Sequence, residues 1–162
     1  MFSVGDTVCY PMNGVGCIEA VEQKTVGGET NDYYRLVFET GRLTVLVPVK
    51  NAENMGLRTL SSPEECAKVI SFLKDGECSP ESTNWNQRYR DNYEKLKTGD
   101  PLIVADVVKS LHKRERGKGL SAGERKMYLT ARQVLVTELA MATGCSCETY
   151  LALLDECIST IR

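Results

Sequence analysis

Asn54-Met55-Gly56-Leu57-Arg58, followed closely by Ser62-Pro63-Glu64-Glu65, is where the pattern of this chain changes. Before it, apolar residues come in short runs broken by Gly, Pro and Asn-Gly; after it, they recur every three or four positions. Ser62 is suited to be a helix N-cap, Pro63 fits the first helical position, where a missing N–H is harmless, and Glu65 stands three residues after the cap. Those four residues therefore open a helix. The chain is read as α+β with two domains, residues 1–60 built from strands and 61–162 from helices.

On the amino-terminal side, Thr7-Val8-Cys9-Tyr10 is a β-prone run stopped by Pro11, and Asn13-Gly14 is a turn leading into Val15 to Val21. Val26-Gly27-Gly28-Glu29 supplies another turn. Tyr33 to Phe38 and Leu43 to Val49 are the clearest strands, separated by Thr40-Gly41-Arg42. Four or five short strands in so short a stretch predict a small, strongly bent barrel. Pro48 cannot donate to a ladder, so the last strand lies at an edge or ends there.

On the other side, the helix opened at Ser62 runs to about Leu73 and ends at Asp75-Gly76. Residues 76–83 read as a linker, after which Asn84 caps a helix to about Lys97, closed by Thr98-Gly99. Asp100-Pro101 starts a third helix, with Ile103, Val104, Val107, Val108 and Leu111 facing a core until Gly117-Lys118-Gly119 breaks it. Ser121-Ala122-Gly123-Glu124 reads as a second capping box, opening a long helix with Tyr128, Ala131, Val134, Leu135 and Leu139 on one side, stopped by Thr143-Gly144. A last helix from about Glu148 to Ile158 presents Leu151, Leu154 and Ile158. Together these make a bundle of four or five helices.

A hydrophobic content of 42% with 26% charged residues is that of a folded protein with a core. Met1 to Asp6 lack the regions of a signal peptide, and no apolar run approaches the ~20 residues that span a bilayer, so a cytoplasmic protein is expected. The seven cysteines are odd in number and contain no C-x-x-C pair, which reads as free thiols used as small apolar residues. Cys145-Ser146-Cys147 has no second pair and the single His112 is far away, so no metal site and no cofactor is expected. One histidine, no Gly-rich phosphate loop and no paired acid and base argue against an enzyme. The enzymatic rival, a thiol redox protein using Cys145 and Cys147, would need a low-pKa cysteine.

The net charge of −2 hides segregation: residues 1–83 carry −5, residues 84–132 carry +6 and residues 133–162 carry −3. A basic block in an acidic chain points to an anionic partner met by that block alone, nucleic acid first. The block opens with Asn84-Trp85-Asn86-Gln87-Arg88-Tyr89-Arg90, which holds the only tryptophan. Trp85, Tyr89, Tyr93 and Leu96 lie at helical spacing and would by themselves read as a core stripe. Trp85, however, follows the cap directly and adjoins the linker, at the exposed end of that stripe; Tyr89, Tyr93 and Leu96 are assigned to the core. Lys113 to Lys118, including Arg114, is a helix end where cations complement the dipole anyway, whereas Arg125 and Lys126 occupy a first turn where the dipole disfavours them.

The ordered motifs resemble the CarD/CdnL family of bacterial transcription regulators along nearly the whole chain. Val4-Gly5-Asp6-Thr7-Val8-Cys9-Tyr10-Pro11, Asn13-Gly14-Val15-Gly16, Leu43 to Pro48 and Gly56-Leu57-Arg58 carry it in the amino-terminal half. In the other half it rests on Asn84-Trp85, Arg88-Tyr89, Glu94-Lys95-Leu96, Gly99-Asp100, Lys118 to Glu124 and Ala131-Arg132-Gln133. The resemblance implies a Tudor/SH3-like domain that binds the β subunit of RNA polymerase, shared with the transcription-repair coupling factor, then a helical DNA-binding domain.

By position, the resemblance makes Trp85 a wedge in the minor groove at the upstream edge of the transcription bubble, stabilising the open complex. It makes Arg88, Arg90 and Arg125 basic DNA contacts; Arg114, Lys118 and Lys126 join them from the same basic block. Wedging offsets the loss of base stacking, and Lys or Arg contacts displace counterions, so binding should be weak, shape-dependent and largely free of base reading. The polymerase is expected at the edge strand through Leu43, Val45, Leu46 and Val47, with Lys24 nearby. Lys24 fits a position that is basic in some relatives; Leu46 departs from one. No membrane and no small-molecule substrate is expected. The alternative function is a protein-interaction adaptor without direct DNA contact.

Overall fold

The computed structural model describes residues 2–38 and 43–159, with side chains through residue 156. The expected Thr40-Gly41-Arg42 turn and the Ile158 side chain lie outside the described residues. The chain divides into two compact units, Met1–Leu60 and Ser61–Arg162. Strands occupy the first and helices the second, in agreement with the α+β reading.

The first unit is an antiparallel sheet of β1 (Thr7–Tyr10), β2 (Gly14–Val26), β3 (Glu29–Phe38), β4 (Thr44–Pro48) and β5 (Arg58–Thr59), in the order β4-β3-β2-β1-β5. Val26 pairs with Glu29 across Gly27 and Gly28, whose φ of 62° and 84° make the two-residue turn whose twist suits a hairpin. Because that hairpin extends its own ladder, β2 runs well past the expected Val21. Register shifts between Ile18 and Ala20, a bulge that bends the strand. Tyr34, Leu36 and Phe38 alternate inward from β3 and form the core with Val8, Ile18, Val47, Ala52 and Leu57.

β5 has no counterpart in the sequence pattern, since two residues are too few for a periodicity. It is delivered by a turn at Gly56, whose φ is 97° and where an added Cβ would stand 2.5 Å from Pro11 Cγ. Only glycine meets both demands. β4 ends at Pro48 and pairs with β3 alone among the described residues, so it is a sheet edge.

The second unit holds α1 (Pro63–Asp75), α2 (Trp85–Lys97), α3 (Pro101–Gly117), α4 (Ala122–Thr143) and α5 (Cys147–Ser159). Each start follows local capping. Ser62 and Glu65 form the full reciprocal box on α1, Asn84 Oδ1 accepts from the N–H groups of Asn86 and Gln87, and Asp100 caps α3. Gly144, at φ 76°, ends α4 in the left-handed conformation. The core collects Cys66, Val69 and Leu73 of α1, Leu96 of α2, Val104, Val107, Val108 and Leu111 of α3, Tyr128, Ala131, Leu135 and Leu139 of α4, and Leu154 of α5. Ile103, Val134 and Leu151 are only half-buried. Lys109, 1% exposed, sends its ammonium to the carbonyls of Phe72 and Gly76 at the end of α1.

Two expectations fail in α2, for one reason. Its buried residues are Arg88, Asn92 and Leu96, so the inward stripe runs beside the aromatic one. Tyr93, expected in the core, is exposed with Lys97 Nζ 4.9 Å above its ring, and Tyr89 is half-buried. Likewise the second capping box forms by half. Ser121 Oγ accepts from the Glu124 N–H, but the Glu124 carboxylate is taken by Arg88.

Candidate functional site

Trp85 occupies the first helical position of α2 and is 56% exposed. Its ring takes no place in the core because the Asn84 cap fixes the helix start, and the inward stripe, three and seven residues on, belongs to Arg88 and Asn92. A large apolar ring held at a helix tip costs hydration without a burial gain. Such a residue is suited to stacking on a partner.

Arg88 departs from the role expected of it. Its guanidinium is 4% exposed and forms a bidentate pair with Glu124, Nε to Oε2 at 2.9 Å and Nη2 to Oε1 at 3.1 Å. Nη1 donates to the Ser82 carbonyl at 3.2 Å. A phosphate contact by this side chain would leave Glu124, 2% exposed, as an unpaired buried charge. The Arg88 hydrogen bond, more than any other influence, holds the Glu124 carboxyl below its ordinary range, against the opposing effect of burial. The same bond raises the Arg88 guanidinium further. The pair joins the first turns of α2 and α4, where the Tyr89 ring also lies 3.6 Å from the place a Gly123 Cβ would take.

The other cations differ in their setting. Arg90 is exposed and, at two residues from Arg88, points about 200° around the helix from it. Lys126 is exposed on α4; Arg125 is exposed too, with Nη2 2.6 Å from Glu115 Oε1 of α3. Arg114 and Lys118 line one open groove with Lys113, Cys78, Ser79 and Ser110, and Arg114 Nη1 stands 3.6 Å from Glu81. The expected cations therefore divide by setting: Arg88 is buried, Arg114 and Arg125 are paired with carboxylates, and Arg90, Lys118 and Lys126 are exposed.

In the first unit, the backbone edge of β4 is the available surface. Val47 is fully buried, so its side chain serves the core; Leu43 is exposed, and Val45 and Leu46 are half-buried. Lys24 pairs with Asn31 on the part of the β2–β3 hairpin that runs beyond Pro48. Arg35, which the sequence pattern did not single out, stands directly across from Leu46 and so shares its face of the sheet. Its Nη2 lies 2.7 Å from Glu22, and its buried Nε has no partner. The alternation of Tyr33, Arg35 and Val37 against Tyr34, Leu36 and Phe38 was the available signal.

Among the described residues no group of three or more His, Cys, Asp or Glu side chains is placed to hold a metal ion. Among them, too, no helix is long and apolar enough to cross a membrane. Cys66 is buried, which pushes its thiol up, while Cys17 and Cys145 are exposed.

Residues 2–61 match the family model of the CarD-like/TRCF RID domain, and residues 68–155 match that of the CarD C-terminal domain. The chain is 33% identical over 144 residues to the "Putative transcription factor YdeB" of Bacillus subtilis (strain 168), covering 89% of this chain and 94% of that protein.

Proposed function

The chain belongs to the CarD family, and from that premise we propose that it is a non-enzymatic, cytoplasmic transcription regulator that bridges RNA polymerase and promoter DNA. Residues 1–60 hold the polymerase β subunit by strand addition to β4, where backbone groups pair and Leu43, Leu46 and Arg35 present side chains. Residues 61–162 meet the DNA, with Trp85 as a minor-groove wedge at the upstream edge of the bubble and Arg90, Arg125 and Lys126 against flanking phosphates. Arg114 and Lys118, which line one groove at the end of α3, add further contacts to the phosphate backbone. The observation that carries this reading is Trp85, 56% exposed at the tip of α2 in the most basic part of the chain.

Mechanism follows from tethering. The grip on polymerase raises the effective concentration of the DNA-binding unit near the promoter, so a weak, shape-dependent contact is enough. A ring lodged in the distorted step favours the open complex over the closed one, and it can do so only by its differential affinity for the two. Open-complex lifetimes measured with purified polymerase, with the protein and with Trp85→Ala, test the reading. The protein should lengthen the lifetime and Trp85→Ala should remove most of the gain while keeping helical content and polymerase binding. If charge reversal of Arg90, Arg125 and Lys126, and Trp85→Ala, all leave the lifetime unchanged, the adaptor function without DNA contact replaces it.

A further inference from the structure

The buried pair in the second unit bears directly on the exposed ring. Arg88 makes three directed hydrogen bonds to groups from separate parts of the chain: two to Glu124 at the start of α4 and one to the Ser82 carbonyl in the segment before α2. Ser82 Oγ in turn accepts from the Asn84 N–H at 3.2 Å, and Asn84 Oδ1 caps the turn that begins with Trp85. On the other side, Ser121 Oγ caps the Glu124 N–H, so the same pair fixes the first turn of α4, where Arg125 and Lys126 lie. The guanidinium is planar and its donors form a rigid fork, so a bidentate pair sets an orientation as well as a distance. Few arrangements of the two helix starts satisfy all these bonds together.

We propose that the Arg88–Glu124 pair is a positioning element: it sets the angle at which Trp85 is presented beside the first turn of α4, and it acts on DNA through that ring instead of through a phosphate. This rests on the reading of Trp85 as a wedge. Arg88 is then a specificity-determining residue for distorted over regular duplex, since the wedge is the part that senses distortion. A lysine cannot replace it, because a single ammonium lacks the fork that joins Glu124 and Ser82.

The experiment uses the full chain with polymerase on a promoter and compares Trp85→Ala, Arg88→Met, Arg88→Lys and Trp85→Ala/Arg88→Met. Should Arg88→Met fail to fold with Glu124 left unpaired, Arg88→Met/Glu124→Leu removes both charges together, a replacement that buried pairs commonly tolerate. Two readouts are taken. One is open-complex lifetime as a function of salt; the other is acrylamide quenching of Trp85, the sole tryptophan, in the free protein. Positioning predicts that Arg88→Met and Arg88→Lys shorten the lifetime toward that of Trp85→Ala and alter the quenching. It also predicts that the Trp85→Ala/Arg88→Met protein stays within about twofold of Trp85→Ala and that the salt slope is unchanged. A further loss in the Trp85→Ala background together with a slope smaller by about one means that Arg88 holds a phosphate, which overturns the proposal. Rescue by Arg88→Lys overturns it as well. If Trp85→Ala alone has no effect on lifetime, the wedge reading fails, and quenching in the free protein still decides whether Arg88 sets the ring. Unaltered quenching in the Arg88 variants refutes the positioning role.

Discussion

Arg125 Nη2 of α4 lies 2.6 Å from Glu115 Oε1 of α3, so the cation expected at DNA is already partnered by a carboxylate on the neighbouring helix. The pair is partly exposed, at 59% and 32% for the two side chains. Such pairs contribute only ~0–1 kcal/mol, and a phosphate competes readily for the arginine. On the proposed reading, in which Arg125 meets a phosphate, Glu115 competes with the DNA for that arginine. Glu115→Gln should lengthen open-complex lifetime by about two- to fivefold, the range that ≤1 kcal/mol allows, with a steeper salt dependence. An unchanged lifetime across the salt range would mean that Arg125 does not reach DNA.

Lys109 is a second buried cation of the helical unit beside Arg88, and it donates to the carbonyls of Phe72 and Gly76. The Phe72 carbonyl also accepts the Gly76 N–H at 2.8 Å, and the Gly76 carbonyl lies at the C-cap just past α1, where a positive charge complements the dipole. Lys109→Met keeps most of the volume and removes the donors. It should destabilise the protein by about 2 kcal/mol, as loss of charged hydrogen bonds to partly buried carbonyls does, seen as a lowered midpoint in urea unfolding. A midpoint equal to that of the parent would show that the carbonyls find water instead.

Arg35 offers the sheet edge a guanidinium directly across from Leu46. Because a charge at the rim of an interface changes encounter and salt dependence more than core packing, Arg35→Met should weaken binding to the polymerase β subunit by up to about tenfold, a change of about 1.4 kcal/mol. The loss should be largest at low salt, while thermal stability changes little. Affinity measured by fluorescence anisotropy at two salt concentrations is the check, and equal affinity for the two proteins removes Arg35 from the interface.

The Glu124 carboxyl, held down by Arg88, links stability to acid. Its folded value lies below its ordinary value of 4.5, so the unfolded chain takes up the proton first as pH falls. The stabilisation it provides is complete above pH 4.5 and is lost progressively as pH drops through the lower folded value. Glu124→Gln should thus lower stability at neutral pH and flatten the decline below pH 4.5, as followed by unfolding free energy at a series of pH values. A variant with the parent's acid slope would show that other carboxylates control it.

Local chemistry decided most of what could be read in advance. Caps and turns act within four residues of themselves, so Ser62, Asn84, Asp100 and Ser121 could each mark a helix start, and Val26-Gly27-Gly28-Glu29 a hairpin. The exposure of Trp85 belongs to this class in part, because it stands one residue past its cap, while the inward stripe of Arg88 and Asn92 completes it. Pro48 likewise marked the edge of the sheet. The family resemblance was legible for the same reason, being carried by short motifs in order.

What the sequence alone could not settle is the inward face of α2 and the role of Arg88. Arg88 and Asn92 are polar, so a periodicity of apolar residues places Tyr89 and Tyr93 inward instead. The choice is reversed by Glu124, a partner 36 residues away, whose own pattern announces only a capping box. Once two charges are buried together, neither can leave without stranding the other, and that mutual constraint exists only in the folded chain. The sequence by itself determined the order of strands then helices, every strand and α-helix but β5, and an exposed tryptophan in a basic block. Only the tertiary structure decided which arginine faces solvent and which one holds the helix that carries the ring, because burial of a charge depends on a partner that no local pattern can name.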